Sequence, residues 1–306
     1  MKEKVLIITG PTGIGKTELS LKIAKKLNTE IVSADSMQIY NYMDIGTAKA
    51  NEKQRETIRH HLIDIVMPDE DFTVSNFKRN AMKIISDLNN KGKIPMVIGG
   101  TGLYLNSLIY DLEFFSIAAD QNIRDKYEAL ANEYGNSYIH NILKDIDMKS
   151  YEKINANDRK RIIRALEVFD LTGSTMSEYN KNFRRPNDKY DIILVCLNMD
   201  RNKLYDKINL RVDKMMSLGL VEEVKKLISM GYGIDLQSMQ AIGYKEIIMY
   251  LNKEINLEDA IAKIKQGSRN YAKRQLTWFR PYENAYWINM DEYDDLDDVS
   301  NFILNL

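Results

Sequence analysis

Cysteine is almost missing from this 306-residue chain: Cys196 stands alone, inside the apolar run DIILVCLN. One thiol cannot form an intrachain disulfide, which suits a reducing compartment, and a lone cysteine in an apolar strand reads as a small buried hydrophobe. Histidine is scarce too. His60 and His61 are adjacent and His140 is far away, so no metal-ligand spacing exists. No apolar run approaches the roughly 18 residues that cross a bilayer. The apolar start, Val5 to Ile8, is too short for a signal-peptide core and runs straight into glycines. These absences set aside disulfide scaffolds, zinc modules, secretion and membrane insertion, and a cytoplasmic globular protein is expected. No long apolar seam is present, so a monomer is expected. Net charge is lacking as well, at −1, but unevenly. The segment DEYDDLDD (291–298) carries six acids, which leaves 38 acids against 43 Lys and Arg elsewhere, a net of +5. Positive charge clusters in NDRKRIIR (157–164), KNFRRPNDK (181–189) and KIKQGSRNYAKRQLTWFR (263–280). A solvated helix face would account for any one cluster; three of them beside a phosphate loop point to a polyanionic partner.

What is present is an alternation. Strands are expected at 4–9, 30–34, 61–65, 94–99, 191–197 and 285–289, as β-branched runs bounded mostly by Gly, Pro, Asn or Asp. Helices are expected at 16–27, 74–90, 102–110, 201–217, 218–230, 239–250 and 257–280, with a short closing helix in VSNFILNL. Strand–helix alternation implies an α/β fold, a mostly parallel sheet flanked by helices. Strand signals stop between Ser116 and Lys189, where the chain is charged, amphipathic and rich in Tyr and Asn. This predicts an all-helical insertion domain at 116–189, with Pro186 and Asn187 as the return hinge, in a core made of 1–115 and 190–306.

Residues 5–20 read VLIITGPTGIGKTELS and meet the pattern G-x-x-x-x-G-K-[ST] in full. The run follows a strand and opens a helix, the context in which such a loop becomes an anion nest built from backbone amides and a helix dipole. Lys16 adds a point charge, and the Thr17 hydroxyl is placed to hold Mg²⁺. Asp35 follows the second strand in IVSADSMQIY. Ligands of open parallel sheets bind beyond the carboxyl ends of the strands, so Asp35 should face the loop, with Ser36 and Gln38 on the same rim. Asp35 reads equally as an N-cap of the next turn or as a Mg²⁺ ligand. The third motif, VIGGTGLYLNSL, ends a strand in Gly99-Gly100 where a typical NTPase shows an acid. It continues through Thr101-Gly102 into a helix, either as a tight capped turn or as a second place where a ligand approaches the backbone.

These motifs, with DSMQIYNYMDIGTAK (35–49), HHLIDI (60–65), GGTGLYLNSLIYDL (99–112), NDRKRIIRALEVF (157–169), MQAIGYKEI (239–247) and YAKRQLTWFR (271–280), resemble the tRNA dimethylallyltransferases, or tRNA isopentenyltransferases, over nearly the whole chain. The lack of a C-terminal Cys/His zinc finger makes the bacterial form the nearer match. The resemblance implies a P-loop NTPase-like core whose loop (Gly10, Pro11, Thr12, Gly13, Ile14, Gly15, Lys16, Thr17) cradles the diphosphate of dimethylallyl diphosphate, with Mg²⁺ on Thr17 and Arg211 beside it. The prenyl group then passes to N6 of the adenosine at tRNA position 37, next to the anticodon. Asp35 would take the proton of the attacking amine, Thr101 would help position that amine, and Lys16 would stabilise the leaving group.

The same resemblance implies tRNA contacts from Asp35, Ser36, Met37, Gln38, Thr101, Arg124, Arg159, Lys160, Arg161, Ile162, Ile163, Arg164, Lys273 and Arg274, which would engage the anticodon stem-loop. By spacing, Ile162, Leu166 and Phe169 form the buried stripe of the 157–169 helix and Asn157 its N-cap. Leu204, Ile208, Val212 and Met215 form another stripe, with Arg211 at its margin. Lys265, Arg269 and Lys273 make a basic stripe on the last long helix. Two departures stand out: Arg159 occupies a position where the family usually has proline, and FSIAADQN (115–122) lacks expected prolines. A small-molecule or nucleoside kinase on the same scaffold is the alternative; it would leave GGTGLY and the basic clusters unexplained.

Overall fold

The computed structural model describes residues 2–112, 120–179 and 185–306. Part of the FSIAADQN stretch and residues 181–184 of the second basic cluster lie outside the described residues. The chain divides into two compact units, Met1–Ile109 with Asp188–Leu306, and Tyr110–Asn187.

In the first unit, β1 (Glu3–Thr9) is buried from Val5 onward, as a strand covered on both faces should be. It leads through the glycine loop into α1 (Lys16–Lys26), then β2 (Ile31–Ser33), α2 (Glu52–Thr57), β3 (His60–His61), α3 (Val74–Asn90), β4 (Met96–Gly99) and α4 (Gly102–Ile109). The second unit contains α5 (Gln121–Tyr134), α6 (Asn136–Ile146), α7 (Met148–Lys153), α8 (Arg159–Thr172) and α9 (Met176–Tyr179). The first unit resumes with β5 (Tyr190–Asn198), α10 (Arg201–Ser217), α11 (Leu220–Ser229), α12 (Tyr244–Leu251), α13 (Leu257–Phe279), β6 (Tyr286–Asn289) and α14 (Leu296–Leu304). Six strands form, in the order β3-β2-β4-β1-β5-β6, and every pairing is parallel; the strand expected at 61–65 shrinks to His60–His61, because Leu62 and Asp64 take φ of 60° and 54°. None of the described helices is long and apolar enough to cross a membrane.

The register fixes where chemistry can happen. Thr9 at the end of β1 lies opposite Gly99 of β4 and Cys196 of β5, so three carboxyl ends finish on one rim. The Thr9 hydroxyl donates to the Gly99 carbonyl at 2.9 Å, tying the start of the glycine loop to the start of the Gly99–Gly102 turn. Cys196 is buried, and burial pushes its thiol up to about 12. The acidic segment near the C-terminus is spent on docking. Asp297 pairs with Lys22 of α1, Asp291 with Lys203 of α10, and Asp295 caps α14, which buries Val299 and Ile303.

Several sequence expectations need correction. The helix expected at 239–250 is broken: a 3-10 turn, Ser238–Gln240, is followed by non-helical residues 241–243, and α12 begins only after Gly243, whose φ of 102° breaks a right-handed helix. The short helix α2, held by an Asn51/Gln54 capping box, was not expected, because none of its residues is buried and no apolar period marks it. In the second unit Asp158, not Asn157, caps α8 by accepting from the Arg161 amide. Its buried stripe is Ile162, Ile163, Leu166 and Val168, while Phe169 is half-buried.

A methyl group added at Gly99 would sit 2.1 Å from the Ala34 carbonyl oxygen, in backbone that cannot yield. Gly99→Ala should therefore cost about 2 kcal/mol or more, as overpacking does. Chemical denaturation should show the loss in the midpoint, with the helical content of the folded state retained.

Candidate active site

Two cavities open at the carboxyl ends of the strands, and they share a wall. The first, of about 460 Å³, is floored by Thr12, Gly13, Gly15, Lys16 and Thr17 and reaches Gly99, Gly100 and Gln38. The second, of about 320 Å³, is mostly apolar, with Ile208, Val212, Met215, Ile242 and Ile264 in its lining. Thr12, Asp35, Arg211 and Tyr271 line both. An anion-binding compartment thus joins an apolar one at a carboxylate, a guanidinium and a phenol.

The glycine loop owes its shape to backbone that only glycine adopts easily. Gly13 and Gly15 have φ of 83° and 102°, and at Gly13 a Cβ would meet Ile208 at 2.8 Å. Helix α10 packs against the loop at that point, one turn before Arg211. Lys16 folds back, its ammonium donating to the Gly10 and Pro11 carbonyls at 2.7 and 2.9 Å. Of the loop residues expected to hold diphosphate, Gly10 and Pro11 act through those carbonyls and line neither cavity, and Ile14 is buried in the core. Lys16 retains some surface at the cleft, yet the surrounding protein and the nearby Arg211 charge lower its ammonium to about 7, against a smaller opposing pull from Asp35. Burial also lowers Arg211, again opposed by Asp35. Among the described residues no carboxylate forms an ion pair with Arg211 or Lys16. Two cations left unclasped at a nest of amides are arranged for a polyanion.

On the other rim, Asp35 Oδ1 accepts from the Met37 amide at 2.9 Å and weakly from the Gln38 amide at 3.4 Å. The capping role read from sequence is therefore real, and it occupies one carboxylate oxygen while none of the described hydrogen bonds falls on Oδ2. Thr101 lines neither cavity. Its hydroxyl accepts from the Ser36 amide at 2.9 Å and donates to the Ser36 hydroxyl at 3.3 Å, so it braces the Asp35 turn from behind.

Two residues of this site were not singled out from the sequence. Gln275 accepts from the Thr12 amide at 2.8 Å and donates to the Gly100 carbonyl at 2.9 Å, bridging both glycine turns. Tyr271 lies one turn earlier and lines both cavities; burial and the Asp35 charge raise its phenol well above the ordinary value. The signal was there: Ser268, Tyr271 and Gln275 recur at helical spacing on α13, a polar line on a helix side that is otherwise core.

The expected tRNA contacts separate. Ser36, Met37 and Arg274 line the apolar cavity and Gln38 the anion cleft. Lys273 faces a separate surface pocket with Arg201, Arg280 and Trp287. Further along the expected basic stripe, Lys265 pairs with Asp213 and Arg269 bonds Asn209. In the second unit Ile162 and Ile163 are buried, so as tRNA-contacting side chains they are corrected to core. Arg124 and Arg164 both clasp the buried Glu167, at 2.8 and 2.7 Å, and Arg159 binds Glu128, Asn132 and Asn136. Lys160 and Arg161 remain exposed, Arg161 with only a solvated pair to Asp158 at 3.4 Å.

The IPP transferase family model matches residues 38–282. A curated tRNA dimethylallyltransferase of Acetivibrio thermocellus is 53% identical over 292 residues, which is 95% of this chain and 93% of that protein. The chain belongs to the IPP transferase family. Solved structures agree with this IPP transferase in fold. A tRNA isopentenylpyrophosphate transferase of Bacillus halodurans is 44% identical, with 99% of this chain and 96% of that chain covered and a TM-score of 0.73. One from Staphylococcus epidermidis is 41% identical, covering 99% and 98%, with a TM-score of 0.72. A eukaryotic dimethylallyltransferase acting on tRNA is 29% identical, covering 99% and 80%, with a TM-score of 0.81.

The oxygen donors of this IPP transferase suit a hard cation. Thr17 and Asp35 both line the anion cleft, and among the described residues no three acids, histidines or cysteines gather into a cage. A divalent ion held there would draw most of its ligands from substrate oxygens and water.

Lys16→Met removes a charge that the fold disfavours. Its folded-state value lies below the 10.5 of the free side chain, so the penalty is full below pH 7 and fades as pH rises toward 10.5. The variant should melt at a higher temperature than wild type at pH 6, with the gap closing by pH 10. Inorganic diphosphate affinity should fall at least tenfold, and calorimetry in two buffers at pH 8 should show less proton uptake than wild type.

Proposed function

We propose that this IPP transferase moves a dimethylallyl group from dimethylallyl diphosphate to N6 of the adenosine at tRNA position 37, next to the anticodon, and releases diphosphate. The supporting observation is the joint between the two cavities: the anion nest meets the apolar chamber at Asp35. Diphosphate seated on the loop amides, Lys16 and Arg211 puts its allylic carbon toward the apolar side. The acceptor base, extruded from its stack, enters that side, as enzymes acting on a base require. The amine attacks the allylic carbon as the carbon–oxygen bond breaks. Asp35 takes the proton that the amine sheds, and the electron pair leaves with diphosphate, where loop donors and the two cations meet the growing charge. Magnesium held at Thr17, when bound, supplies further neutralisation of that charge.

The kinase alternative is not favoured. Strand β4 ends in two glycines without the acid that would organise a nucleotide-bound metal, and the chain's relatives are transferases. Both cavities are lined by one unit of one chain, so the reading needs no second subunit, and its place is the cytoplasm. Lys160 and Arg161 are exposed cations at the start of α8 for the tRNA backbone, while Arg124, Arg159 and Arg164 shape the helix that presents them.

Incubation with labelled dimethylallyl diphosphate, Mg²⁺ and unmodified tRNA, without ATP, should place label in tRNA; a requirement for ATP, or transfer only to AMP, overturns the reading. Asp35→Ala should lower turnover by about 10²–10⁴ while tRNA affinity changes little; equal losses would make it a binding group only. Replacing Lys160 and Arg161 together by Ala should weaken tRNA binding and make its logarithmic salt dependence shallower by about 1–2. An unchanged slope would remove them from the interface.

A further inference from the structure

One carboxylate outside the reacting centre carries an unusual load. Glu223, in the first turn of α11, accepts four hydrogen bonds. Its Oε2 takes the amides of Asp44 and Ile45 at 3.0 and 2.8 Å, and its Oε1 takes the amide of Gly46 at 3.1 Å and the Tyr244 hydroxyl at 2.7 Å. Three successive amides form a nest of the kind that ordinarily holds an anion, here filled by the protein's own side chain.

The groups it gathers belong to two walls of the apolar cavity. Gly46 and Thr47 form one, and Gln240 to Ile242, just before Tyr244, form the other. The two are in direct contact: a Cβ at Gly46 would fall 2.4 Å from the Tyr244 ring. From within, Gln38 ties the first wall to the Asp35 rim through the Thr47 and Ala48 carbonyls, at 3.3 and 3.4 Å. Glu223 itself lines neither cavity.

We infer that Glu223 is a positioning residue for the acceptor base, stapling the 44–47 and 240–244 walls so that the base is held against Asp35. The inference rests on the reading that the apolar cavity receives that base. The anion nest around Lys16 is built from other residues, so Glu223 should govern one substrate and leave the other alone.

Glu223→Gln tests this, because its amide nitrogen would face donors in place of an acceptor. The kcat/KM for tRNA should fall tenfold or more while inorganic diphosphate affinity stays within twofold of wild type. Glu223→Asp should recover part of the loss, and Tyr244→Phe, which removes one bond of four, should lose less. Equal falls for tRNA and diphosphate would make Glu223 a general structural residue and overturn the inference. So would unchanged tRNA kinetics in Glu223→Gln when the wild-type enzyme transfers label to tRNA. A wild-type enzyme that transfers nothing to tRNA overturns the underlying reading instead.

Discussion

Two positive charges held together without a carboxylate between them are the constraint on which the site depends. Lys16 comes from the start of α1 and Arg211 from α10, about two hundred residues apart, and the close approach of Gly13 to Ile208 brings their helices together. A fold selected for stability alone would pair or remove such charges. Keeping both stores an electrostatic cost at the place where a polyanion can relieve it, the usual signature of a site that trades stability for chemistry. Asp35 tempers the cost from the opposite rim without clasping either cation, and in doing so stands at the joint of the two cavities.

The hydrogen bonds behind that arrangement fall in two sets. The Thr12 amide rests on Gln275, which also holds the Gly100 carbonyl; on the other rim Thr101 takes the amide of Ser36, beside Asp35. The anion loop and the Gly100 turn are thus braced by one residue of α13, and of the residues in both sets only Thr101 lines neither cavity. Thr101 moves in this light from a group on the cavity wall to one that fixes the wall's backbone.

The fold was legible because parallel strands buried on both faces leave unmixed apolar runs, and because glycines at the loop and at Gly99–Gly102 answer to backbone demands that other residues cannot meet. Lys16 and Asp35 were placed at the cleft by their motifs and Arg211 by the family resemblance, and all three line it. The site was illegible where a side chain's role depends on a distant partner. Arg124, Arg159 and Arg164 carry charge that suggests nucleic acid, yet a buried Glu167 and the polar face of α5 consume it. Glu223 reads as an ordinary surface acid until its amide partners, nearly two hundred residues away, are in view. Ile162 was swept in with a basic motif although helical spacing already pointed it inward, and Ile163, outside the expected stripe, is buried beside it.

The order of the sheet has a consequence for how the molecule is made. β1, the first strand synthesised, sits between β4 and β5, and β5 follows the whole of the helical second unit. An emerging polypeptide therefore has its P-loop strand open on one flank until residue 190 and beyond has left the ribosome. The Thr12 amide must wait longer still, for Gln275. A truncated product lacking α13 would carry the signature loop without the Gln275 brace on its Thr12 amide.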